Sequence, residues 1–200
     1  METWQEARGK RAIFIGSSVC VGTGATADYG WSSHMADRMR RNGWRTHNCA
    51  IGGQRTADIL ARLHRDVLLH RPAVCIVGLG LANEGLPNAD QPQAPYAVFL
   101  ANLKDIAERL EAAGIFPVLG GVYPNDRYSP AQAEILYRAR AEMARWPYPV
   151  LDWLDAVDDG QGHFQAGLAH DPYHPNDEGY ARMAAVIPPA IWTLLDCPLP

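Results

Sequence analysis

Residues 14–24 read FIGSSVCVGTG: an apolar run ends in a glycine, two adjacent serines follow, and small residues and glycines return. Phe14 and Ile15 close the first of five short apolar runs, Ala12–Ile15, Arg45–Cys49, Val74–Val77, Phe116–Leu119 and Val150–Leu151. Longer stretches of helical period separate them, which is the pattern of βαβ units and a parallel sheet. In open parallel sheets ligands bind at the carboxyl ends of the strands, so the residues just after each run carry the functional information. Serine after glycine at a strand end is also ordinary turn composition, and a serine hydroxyl is a weak nucleophile until a base takes its proton. The Gly16-Ser17-Ser18 turn therefore needs a histidine from elsewhere in the chain.

The helical segments expected between the strands are Ser33–Asn42, a crossover helix in TADILARLHRDVLLH, Tyr96–Ala113, Pro130–Arg145 and Asp177–Leu195. In the crossover helix Thr56 reads as the N-cap, and Ile59, Leu60, Leu63, Val67 and Leu68 form one apolar stripe. Pro188-Pro189 should kink or end the last helix. No repeat, low-complexity tract or linker divides the chain, so the expectation is a single domain over residues 1–200, long enough to bury a substantial core.

Charge is nearly balanced, with 18 Lys+Arg against 22 Asp+Glu, which excludes the basic footprint of a nucleic-acid binder. The N-terminus, METWQEARGKRAIFIG, sets charged and polar residues before an apolar run too short for a secretory leader or a membrane span. A cytoplasmic protein with no membrane partner is expected. The four cysteines, Cys20, Cys49, Cys75 and Cys197, include no CxxC pair and mostly sit in or beside apolar segments, so disulfides and zinc are not expected.

Three further motifs follow strand ends. In AHDPYHPNDEGY, residues 169–180, Asp171 and His174 stand three apart. A carboxylate there can hold one imidazole nitrogen while the other faces a nucleophile, unless the segment merely caps the last helix through Asn176 or Asp177. Gly52-Gly53, before the crossover helix, lets the backbone approach a ligand and present an N–H, or forms a plain tight turn. Asn83, in GLGLANEG after the third strand, can donate its amide to a developing oxyanion, or sit as a turn residue.

Taken together these blocks resemble the SGNH hydrolases, the GDSL esterase and lipase family, from about residue 11 to residue 186. D-P-Y-H-P-N-D-E-G-Y, similar to the family's D-x-x-H-P-N-x-x-G-Y segment, is the most specific match. The resemblance implies a three-layer α/β/α sandwich around a five-stranded parallel, flavodoxin-like sheet. It implies Ser18 as nucleophile, His174 as base and Asp171 as its partner, with an oxyanion hole built from the N–H groups of Ser18 and Gly53 and the amide of Asn83. Ser17 stands where the family most often has aspartate, and Glu84 follows Asn83 where the family has an acidic residue of the shorter kind.

An α/β-hydrolase elbow fails because Cys20 occupies the second glycine place of G-x-S-x-G, and neither a dinucleotide fingerprint, a phosphate loop nor an H-E-x-x-H helix is present. His163, His170, Asp171 and His174 form a residual metal candidate whose spacing matches no established signature. The expected activity is hydrolysis of short-chain O-acyl esters, acetyl groups on a saccharide foremost, with no cofactor and with a rate that rises with pH as His174 loses its proton. The polar segment after Asn83 provides no apolar lid, and Trp31, Trp153, Phe164 and Tyr173 could form a sugar platform. Alternatives are a lysophospholipase or thioesterase for longer chains, an acyltransferase, and a non-catalytic binding module.

Overall fold

A computed structural model describes residues 9–196. Residues 1–8, on which the reading of the N-terminus partly rests, and Cys197 lie outside the described residues. Five parallel strands, β1 (Arg11–Gly16), β2 (Arg45–Asn48), β3 (Val74–Gly78), β4 (Phe116–Gly120) and β5 (Val150–Leu151), form one sheet in the order β2-β1-β3-β4-β5. The helices are α1 (Ser18–Val21), α2 (Trp31–Arg41), α3 (Thr56–Asp66), α4 (Gln93–Ala112), α5 (Pro130–Met143), α6 (Leu154–Val157), α7 (Asp177–Ala185) and α8 (Pro189–Leu194).

Alternation along the strands sorts the side chains into two cores. Phe14, Val74, Ile76 and Val118 meet Trp31, Met35 and Met39 of α2 and Tyr180 and Met183 of α7 on one face. Ile13, Ile15, Cys75, Val77 and Leu119 meet Ile59 and Leu63 of α3, Phe99 and Ile106 of α4 and Leu136 of α5 on the other. This is the expected α/β/α sandwich. Strand β3 is buried at every residue because helices cover both its faces, whereas β2 is an edge and can read R-T-H-N.

The sheet edge that carries the site depends on a glycine pair. Gly16 and Gly78 are in register on adjacent strands. A Cβ on Gly16 would lie 2.0 Å from the carbonyl oxygen of Gly78, and one on Gly78 would lie 2.8 Å from Cβ of Cys20. Their absence lets α1 fold back over the strand ends immediately after β1. Gly16→Ala is expected to cost about 3 kcal/mol, because backbone rather than a flexible side chain occupies the space. A urea denaturation curve with an unchanged midpoint would contradict that.

Several boundaries differ from the sequence reading, each for a local reason. Thr56 is not the cap of α3 but its first residue, and its Oγ1 accepts from Asn102. The cap is Arg55, whose N–H donates to the Asp58 carboxylate. The last expected helix is two, because Pro188 begins a new turn after α7 ends. The stretch before α7 is not a simple loop: β6 (Ala169–Asp171) and β7 (His174–Pro175) pair antiparallel, with Asp171 opposite His174 across Pro172-Tyr173. Cys20 and Cys75 are buried free thiols and Cys49 is a half-buried one. No helix among the described residues is long and apolar enough to cross a membrane.

Candidate active site

Ser18 is the first residue of α1, so its N–H has no partner within the helix and points out of the helix start. Its Oγ donates to Nε2 of His174 at 2.9 Å, across 156 residues of sequence. Nδ1 of His174 lies 2.9 Å from both oxygens of Asp171. With Nδ1–H donating to the carboxylate, Nε2 is left as the acceptor facing Ser18.

Asp171 is fixed more tightly than a surface carboxylate. Its Oδ1 also accepts from the N–H groups of Tyr173, at 2.7 Å, and His174, at 2.9 Å, closing the hairpin turn around the acid. Burial pushes this carboxyl up, but hydrogen bonds from the His174 ring and from these backbone donors outweigh it and hold it below its ordinary value. The turn is anchored from behind, where the Asp126 N–H donates to the Pro172 carbonyl and the Asp126 carboxylate accepts from Phe164 N. Asn176 caps α7 by accepting from Gly179 N, while Asp177 accepts from Thr26 N and Oγ1. The helix cap thus uses neither Asp171 nor His174.

Ser18, Gly53, Asn83 and His174 line a single cleft of about 320 Å³, which Thr23, Ala82, Tyr123 and Tyr173 also face. Gly53 adopts φ +78, a left-handed backbone that favours glycine. Its loop is clamped by the buried Arg62, which donates to the Cys49 carbonyl at 2.8 Å and to the Gln54 side chain at 2.6 Å. The residue after Asn83 ties the two loops together: the Glu84 carboxylate accepts from Thr56 N at the start of α3, at 2.6 Å. The longer acid spans from one loop to the next helix.

Ser17 is fully buried, and its Oγ lies 3.1 Å from Oδ1 of Asn83. Tyr123, three residues beyond β4, is buried and faces the same cleft. Its ring fills the space beside Gly80, where an added Cβ would be 2.3 Å from the phenol oxygen. Sequence reasoning missed Tyr123. The available signal was its place just past the fourth strand, at the same sheet edge as the other motifs.

The expected aromatic platform is corrected. Trp31 and Trp153 are core residues packed against each other at a tilt, with ring centroids 4.8 Å apart, and Phe164 is also buried, so of these four aromatics only Tyr173 stays exposed at the site. These indoles are too large to remain outside a core they can complete. His163 turns to the Tyr128 carbonyl at 2.9 Å, and His170 is exposed. Among the described residues no group of three or more His, Cys, Asp or Glu side chains is arranged to hold a metal ion.

The chain is 28% identical over 195 residues to Esterase TesA of Pseudomonas aeruginosa, covering 96% of this chain and 92% of that protein. A crystal structure of TesA matches with a TM-score of 0.71 at 25% identity, covering 92% of this chain and 99% of the other. The acetylxylan esterase Axe2 of Geobacillus stearothermophilus shares the fold with a TM-score of 0.68 at 17% identity, covering 94% of each chain. The GDSL-like Lipase/Acylhydrolase family matches residues 14–182, from β1 into α7. This chain belongs to the GDSL-like lipase and acylhydrolase family.

Proposed function

We propose that the protein hydrolyses short-chain O-acyl esters, acetyl esters foremost, through a serine acyl-enzyme. The observation that carries this reading is the unbroken chain of hydrogen bonds from Ser18 Oγ through His174 to Asp171, at 2.9 Å each. Ser18 attacks the ester carbonyl while Nε2 of His174 takes its proton, and Asp171 stabilises the imidazolium that forms. Charge developing on the carbonyl oxygen is met by the N–H groups of Ser18 and Gly53 and by Nδ2 of Asn83. His174 then protonates the leaving alcohol. Water, deprotonated by the same nitrogen, releases the acid and restores Ser18.

Substrate size is argued from the walls of the cleft. At about 320 Å³, with the buried Tyr123 on its inner side, it suits a small acyl group better than a fatty chain. The exposed ring of Tyr173, beside His174, offers one face to the alcohol half of the ester, compatible with a saccharide. The name of TesA, an esterase, agrees with this chemistry, while Axe2 lends the shared fold alone.

Hydrolysis of p-nitrophenyl esters from acetate to palmitate tests the reading. The expected result is that kcat/KM is highest for acetate and falls steadily with chain length. A maximum at decanoate or longer would replace it with the lysophospholipase or thioesterase reading. Absence of hydrolysis at any length would favour the acyltransferase or the binding module.

A further inference from the structure

We infer that Arg62 is a positioning residue for the oxyanion site, stapling together the two ends of the loop of residues 49–54 so that the Gly53 N–H is held at the cleft beside Ser18; this rests on the reading of Ser18, Gly53 and Asn83 as the oxyanion donors. A backbone donor helps a developing oxyanion only if it is fixed at hydrogen-bond distance from the place that oxygen will occupy. A glycine has no side chain with which to fix it.

The loop is held unevenly. Its first half is tied to β1 and α1. Ala50 N donates to Oδ1 of Asn48 at the end of β2, Ile51 N donates to the Gly16 carbonyl, and Asn48 Nδ2 donates to the Cys20 carbonyl, each at 3.0 Å. Its second half has no such ties. Among the described residues Gly52, Gly53 and Gln54 make no backbone hydrogen bond, and a Cβ added to Gly53 would meet nothing within 4 Å. Neither a ladder nor packing fixes this stretch, and a segment held so loosely opens locally at little cost.

Arg62, buried in α3, supplies the missing tie. Its Nε donates to Gln54 Oε1 at 2.6 Å, and one terminal nitrogen donates to the Cys49 carbonyl and to the Asp66 carboxylate at 2.8 Å each. A planar guanidinium presents these donors in a fixed fork, so one rigid group sets the spacing between the loop's two ends. Replacing a buried ion pair by apolar side chains is often neutral for stability, so the buried charge is explained by what it holds. The loop it holds runs against the nucleophile, since a Cβ on Gly52 would lie 3.8 Å from Cβ of Ser18. Misplacement of a reacting geometry by about 1 Å can cost about 100-fold in rate.

The test uses the purified full chain, p-nitrophenyl acetate as substrate and phenylboronic acid as inhibitor. Boron takes Ser18 Oγ as its fourth ligand while the serine proton passes to His174, and a boron-bound oxygen then sits where the oxyanion would. Arg62→Met, in which Asp66 keeps Arg65 as its partner, should lower kcat about tenfold to 100-fold with KM changed less than about twofold. It should also raise the Ki of phenylboronic acid at least about threefold, because that adduct needs the same donors. Asn83→Ala, which removes one donor outright, should lower kcat about 100-fold to 1,000-fold and raise Ki as well. A purely structural role would leave less folded protein, lowering kcat with Ki unchanged, and that result would overturn the staple. So would an unchanged kcat in Arg62→Met. If Arg62→Met does not fold, Gln54→Leu carries the test, since it removes only the half-buried acceptor at the end of the loop. It should lower kcat and raise Ki about threefold to tenfold, and no change in either would overturn the staple. If Asn83→Ala behaves as expected and the loop variants do not, the staple alone fails. If Asn83→Ala leaves both constants unchanged, the oxyanion reading fails, and the staple falls with it.

Discussion

Ser18→Ala is expected to lower kcat for p-nitrophenyl acetate by about 10⁶-fold while leaving the fold intact. The size follows from the reaction path, since without Oγ no acyl-enzyme can form and only the oxyanion donors and binding remain. The structural cost is small. Among the described residues Ser18 Oγ has a single hydrogen-bond partner, His174 Nε2, and the side chain is only partly buried, so removal forfeits one bond worth about 1 kcal/mol. Activity and thermal melting measured on one preparation separate the two effects. A variant that melts normally and still turns over at more than about a hundredth of the original rate would remove Ser18 from the mechanism. The adjacent Ser17→Ala, which keeps the nucleophile, should remain within about tenfold of the unmodified protein.

The second large effect is Asp171→Asn, expected to lower kcat by about 10⁴-fold with little change in KM. Asp171 accepts from the ring of His174 and from two backbone N–H groups. An asparagine keeps its oxygen on the backbone donors and presents its NH₂ to Nδ1. The imidazole must then accept at Nδ1 and carry its proton on Nε2, the nitrogen that has to receive the proton of Ser18. Geometry survives and the tautomer is wrong. Because the Asp171 carboxyl is held below its ordinary value, it stays ionised through neutral and mildly acid pH. The stability it contributes is present above the unfolded-state value and is lost as pH falls through the folded one. Steady-state kinetics of Asp171→Asn beside His174→Ala check the assignment, and an Asp171→Asn variant with more than about a tenth of full activity would contradict it.

Much of this architecture is legible in the amino-acid sequence. Alternating short Val- and Ile-rich runs and amphipathic segments specify a parallel sheet, because a strand buried on both faces must be apolar throughout and its covering helix needs a single stripe. The strands β1, β3, β4 and β5 follow from that rule. The edge strand β2, R-T-H-N, follows from its position in the alternation more than from its own composition. Ser18, Gly53 and Asn83 can be singled out because each follows the end of a strand, and Asp171 and His174 because they stand three apart just ahead of the last helical segment, where local residue chemistry is visible.

Other features depend on contacts between residues far apart in the chain. A tryptophan in a loop-like stretch can be a ligand platform or a core plug with equal local signal, and only the packed sheet shows that Trp31 and Trp153 fill the interior. Likewise Glu84 reads as a variant acid until its carboxylate is seen on the first N–H of α3, and Tyr123 carries no motif at all. The order of residues along the chain is enough for the fold class and for the chemical types at one sheet edge, because both are encoded in periodicity and in close neighbours. Folding in three dimensions settles which hydroxyl faces which nitrogen, which aromatic is left at the mouth of the cleft, and what holds the Asn83 amide. Those are matters of a few tenths of an ångström between segments distant in sequence, as in the contact of Ser17 with Asn83 at a separation of 66 residues.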